Sequence, residues 1–80
     1  MAVTTLAELP PYGVCRVERI LDCGIRDRLE SLGMTRGAEL VWLFAAPGGD
    51  PAAYSVRGTA VALRRSDAEK VLVTRSGAWE

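Results

Sequence analysis

Ile25-Arg-Asp-Arg-Leu-Glu-Ser-Leu-Gly-Met-Thr-Arg-Gly-Ala-Glu-Leu-Val-Trp-Leu-Phe-Ala-Ala46 changes its hydrophobic period halfway along. Ile25, Leu29 and Leu32 recur at helical spacing, with Arg26 and Glu30 one turn apart on the outer face, whereas Glu39 to Ala46 reads as a strand. Gly33 stands where a left-handed residue ends a helix, folding Met34 back onto Leu29, and Thr35-Arg36-Gly37-Ala38 reads as a tight turn. Leu40, Trp42 and Phe44 fall on one face of the strand and Val41, Leu43 and Ala45 on the other. A central strand covered on both faces is therefore expected, with Trp42 and Phe44 in the core.

Upstream of this stretch, Thr5-Leu6-Ala7-Glu8 fits a capping box for one helical turn, which Pro10-Pro11 then stops. From Gly13 to Leu21 the apolar phase shifts between Val17 and Ile20, the signature of a bulged or strongly bent strand. Downstream, Pro47-Gly48-Gly49-Asp50-Pro51 is a loop by composition, followed by strands at Ala53 to Arg57 and Ala60 to Arg64 around a Gly58-Thr59 turn. Ser66-Asp67-Ala68-Glu69 reads as a second capping box, and Val71 to Thr74 as the last strand. The pattern predicts a mostly β, small SH3-like, partly open β-barrel of about five strands, with one short α-helix after the first strand. One domain over residues 1–80 is expected, with its core at about 5–74 and a flexible tail at 75–80.

Ten basic and ten acidic residues cancel, so the long-range field that draws a protein to nucleic acid or anionic lipid is missing. An apolar fraction of 49% with 25% charged residues argues for a folded chain rather than a disordered one. Neither a signal segment nor an apolar run of spanning length is present, and Cys15 and Cys23 do not form a Cys-x-x-Cys pair. The expectation is a soluble cytoplasmic protein with reduced, buried thiols.

The run Arg26-Asp-Arg-Leu-Glu-Ser-Leu-Gly-Met-Thr-Arg-Gly37 resembles the R-x-R-L-x-x-L-G-hydrophobic-x-x-G signature of the bacterial ferrous iron transport protein A (FeoA) family. Ala46-Pro-Gly-Gly-Asp-Pro51, Val56-Arg-Gly58 and Ala62-Leu-Arg-Arg-Ser-Asp-Ala-Glu69 resemble the rest of that pattern in order and spacing, so that the resemblance spans roughly Thr5 to Val73. It implies an SH3-like fold, a cytoplasmic location and an accessory role to the membrane ferrous iron transporter FeoB, whose cytoplasmic part binds GTP. A related domain ends the iron-dependent repressors of the diphtheria toxin repressor type; with Met1 so close to the first motif, the free-standing transport accessory is the better match. Thr35 departs from the proline common in the family at that place.

The chain contains no histidine, and no Ser-His-Asp set, P-loop or dinucleotide fingerprint can be assembled, so an enzyme is not expected. For ferrous iron the nearest ligands are Cys15, Asp22, Cys23 and Asp27, read here as a core thiol and ordinary carboxylates, so neither a metal site nor a cofactor is assigned. Arg26, Arg28, Arg36, Arg64 and Arg65 come from two segments that a small barrel could bring together. Arg26, Arg28, Arg64 and Arg65 are assigned to a face that meets the partner, set against a merely solvated face in which Arg26 pairs with Glu30 and Arg65 with Asp67 or Glu69. Trp79, in a polar tail, either packs back on the barrel or touches a partner. A divalent-metal-responsive domain is the alternative function, and weak homodimerisation through open sheet edges is expected.

Overall fold

The expected change of period falls where the chain passes from a helix, α1 (Arg26–Ser31), into a strand. The computed structural model describes residues 2–21 and 24–75. Gly33 takes a φ of +106° just beyond the helix, Met34 N–H donates to Leu29 O at 3.0 Å, and Gly33 N–H donates to Glu30 O at 3.0 Å. Two of the carbonyls left open in the last turn are thereby satisfied, and Met34 and Leu29 are fully buried together. The tight turn also forms, with Ala38 N–H donating to Thr35 O at 2.9 Å and Gly37 at positive φ.

Six strands form one antiparallel sheet, one more than the reading anticipates. They are β1 (Ala2–Thr5), β2 (Val14–Ile20), β3 (Glu39–Ala45), β4 (Ala52–Val56), β5 (Thr59–Leu63) and β6 (Val71–Arg75), in the spatial order β1-β6-β2-β3-β4-β5. The additional strand is β1, four residues whose only pairing is with β6 at the other end of the chain, from Ala2 opposite Arg75 to Thr5 opposite Leu72. β1 and β5 do not pair, which leaves the barrel partly open. Arg75 closes β6 and so belongs to the sheet, not to the tail; residues 76–80, Trp79 among them, lie outside the described residues.

Both ends of the expected bulge are found: β2 slips register against β6 between Val17 and Arg19, so that Val17 and Ile20 both face the core. β3 carries a second slip, between Trp42 and Phe44, and this one overturns an expectation. Leu43 is the extra residue, so beyond it the alternation inverts: Ala45 joins the inward phase of Leu40 and Trp42 while Phe44 turns out and is 62% exposed. β3 is central in the sheet, between β2 and β4, but only one of its faces is well covered. Trp42 is half-buried against the core.

Neither capping box forms. Thr5 precedes a 3₁₀ turn (Leu6–Glu8) without a side-chain bond to it, and that turn contributes the fully buried Leu6. Ser66 sits inside α2 (Arg65–Ala68), whose cap residue is Arg64; its first N–H, that of Arg65, donates instead to Asp50 Oδ1 at 3.0 Å from the loop before β4. A remote carboxylate does what a local hydroxyl was expected to do.

Candidate functional site

The four arginines assigned to a partner face lie in two settings. Arg26 and Arg28 stand on α1, Arg28 exposed and Arg26 half-buried. Arg64 and Arg65 open α2, both exposed. Among the described residues no hydrogen bond or ion pair joins the two pairs.

Arg65 is engaged within the molecule. Its guanidinium lies 3.9 Å from Glu8 and 3.6 Å from Glu69, and Nη1 donates to Ala7 O at 3.4 Å, so that it ties α2 to the 3₁₀ turn. The expected pairing with Glu69 is present and that with Asp67 is not. Beside it a groove of about 270 Å³ runs between Pro11, Trp42, Tyr54 and Leu63. At its edge the 80% exposed ring of Tyr12 meets Trp42 edge-on, with centroids 5.2 Å apart.

The α1 end is different. A cleft of about 400 Å³ opens between the β2 bulge, α1 and the 35–38 turn, floored by Val17, Ile20 and Met34. Arg19, Arg26 and Arg36 enter it from three separate segments, with Glu18 and Glu30 beside them. Arg36 pairs with Glu18 at 3.1 Å. Arg26 and Glu30 share the cleft without the expected ion pair, and Arg26 Nε is closed off from solvent with no acceptor among the described residues. Arg19, next to the β2 bulge, escapes a reading of the sequence because only the fold brings it into one cleft with Arg26 and Arg36.

Two further arginines serve the backbone. Arg57, at a φ of +48°, donates from Nε to Gly33 O at 3.2 Å and from Nη2 to Thr35 Oγ1 at 3.3 Å, bracing the helix-ending turn. The hydroxyl of Thr35 supplies one of those acceptors. Arg16 Nη1 donates to Gly37 O at 2.9 Å.

For a metal the described residues offer little. Burial pushes the Cys15 thiol up to about 12, against a partly opposing pull from the Arg75 guanidinium, so the thiolate needed for ligation is disfavoured. Asp27 is exposed on α1, while Asp22 and Cys23 lie outside the described residues. Among the described residues no group of three or more His, Cys, Asp or Glu side chains is placed to hold an ion. No described helix is long and apolar enough to cross a membrane.

Residues 4–75 match the model of the FeoA domain. The chain belongs to the FeoA family. The resemblance read from Arg26 to Gly37 and the downstream motifs is thus borne out over nearly the whole sequence. Among solved structures, it is 37% identical to FeoA of Stenotrophomonas maltophilia, with 89% of each chain covered and a TM-score of 0.81. That protein was crystallised with zinc and is described as a prokaryotic SH3 domain protein and a candidate ferrous iron transport activating factor. Identity to FeoA of Chlorobium tepidum is 32%, covering 96% of this chain and 78% of that one at a TM-score of 0.85. The manganese regulator SloR, 19% identical with 91% of this chain and 34% of that one covered at a TM-score of 0.74, shares the fold alone. No curated protein sequence matches the chain.

Proposed function

We propose that this FeoA-family protein is a cytoplasmic accessory of ferrous iron uptake that acts by binding the cytoplasmic domain of the transporter FeoB, without catalysis of its own. The carrying observation is the family match across residues 4–75, supported by the activating role suggested for the S. maltophilia relative. Contact runs through Arg26 and Arg28 on α1 and Arg64 and Arg65 at the start of α2, side chains suited to bidentate pairing with carboxylates. The test is retention of detergent-solubilised FeoB by the immobilised protein under reducing, nucleotide-loaded conditions. Retention is expected, and joint replacement of the exposed Arg28 and Arg64 by Ala should weaken it by about tenfold or more, as truncated interface arginines do. Retention no better than background would sink the reading.

A second reading, direct divalent-metal binding, draws support from the zinc complex of the S. maltophilia relative. Anaerobic calorimetry with ferrous iron separates the two, since stoichiometric micromolar uptake of heat-producing metal favours the second.

A further inference from the structure

We propose that the cleft between the β2 bulge and α1 is a binding site for a single oxyanion group, a phosphate or a carboxylate, held chiefly by Arg26 and Arg19. Arg26 is shared with the contact proposed for FeoB, but the cleft is tested with free anions, so its failure and the failure of that contact are read separately.

Three guanidiniums line the cleft from β2, α1 and the 35–38 turn, so its local field is positive and favours a negative partner. The protein supplies only part of that negative charge. Glu18 is taken by Arg36 at 3.1 Å, and Glu30, the remaining carboxylate, is within ion-pair distance of no described basic group. Arg19 and Arg26 therefore keep their charge without a carboxylate among the described residues. Arg26 is the more constrained of the two, half-buried and with no acceptor for its Nε–H among the described residues. Glu30 is a poor partner for it, since Arg before Glu at i,i+4 is the less favourable order on a helix.

The floor of Val17, Ile20 and Met34 lowers the local dielectric and strengthens a charge-assisted pair formed above it. Guanidinium forks match the planar oxygens of carboxylate and phosphate two at a time, and a cationic cleft of this kind repels a metal ion. With a net charge of zero the chain lacks the extended basic stripe that would make a nucleic-acid backbone the source of the phosphate.

The experiment is a titration of the isotopically labelled protein with inorganic phosphate, and separately with acetate, at constant pH and constant ionic strength set with sodium chloride. It is read on the Nε–Hε resonances of Arg26 and Arg19. Saturable shifts are expected with one or both anions: phosphate alone identifies a phosphoryl source, acetate alone a carboxylate source, and both a general oxyanion site. Arg26→Gln should weaken binding by about tenfold or more, as expected for losing a two-pronged charged contact. Glu30→Gln, which removes the competing internal charge, should tighten it with an amide spectrum otherwise unchanged. Shifts that do not saturate, or that chloride reproduces, overturn the proposal, as does a Glu30→Gln protein that binds more weakly than the parent. The Glu30 variant alone decides the matter should Arg26→Gln fail to fold.

Discussion

The two ends of this small barrel use the same residue type in opposite ways. At the α2 end, two carboxylates from distant segments and one a helical turn away meet one arginine or its backbone: Asp50 accepts the Arg65 N–H, and Glu8 and Glu69 flank its guanidinium. At the α1 end the backbone closes itself locally, through Gly33 and the Met34 N–H, and the arginines gathered above it outnumber the carboxylates. Acceptors converge on the arginine at one end and fewer do so at the other; residue identity in the sequence does not distinguish the two cases.

Removing the apolar anchor of the α1 end should have the largest effect. Leu29→Ala, at a fully buried site beneath the helix-ending turn, is expected to cost about 2–5 kcal/mol in denaturant unfolding. Arg65→Ala, at the other end, should cost no more than about 1 kcal/mol, because its partners are exposed. Equal costs would break the comparison, making the α2 end as much a keystone as the helix.

The turn itself comes next. Gly33→Ala combines a positive φ with a Cβ that would sit 2.9 Å from Arg57 Cδ, and about 1–3 kcal/mol of destabilisation is expected. In an Arg57→Ala background the crowding is relieved while the φ remains, so the penalty in a double-mutant cycle should shrink. An undiminished penalty would mean that backbone conformation alone sets the requirement for glycine.

The smallest effect tests the remote cap. Asp50→Ala should cost about 1 kcal/mol, the usual loss for a helix cap, and should speed hydrogen exchange at the Arg65 amide. Ser66→Ala should be close to neutral, because Ser66 is inside α2 and caps nothing. If the two substitutions exchange roles, α2 is capped locally and the contrast between the ends disappears.

Local physics was legible in the sequence wherever a few adjacent residues settle it. The helix at Leu29, its glycine stop, the turn at Gly37 and the slip after Val17 depend on period, φ and hydrogen bonds between near neighbours, and all are found as read. So are the SH3-like class and the family, which rest on the order and spacing of those same signals. Tertiary structure decided what depends on partners far along the chain. β1 is a strand because β6 offers it an edge some seventy residues away, and Phe44 leaves the core because pairing with β4 puts Leu43 into a bulge. α2 is capped by Asp50, fifteen residues upstream, where a local pattern pointed to Ser66. The arginines divide in the same way: Arg65 finds carboxylates and Arg26, among the described residues, does not, because a close pair needs contact within a few ångströms and the fold determines which groups come that close.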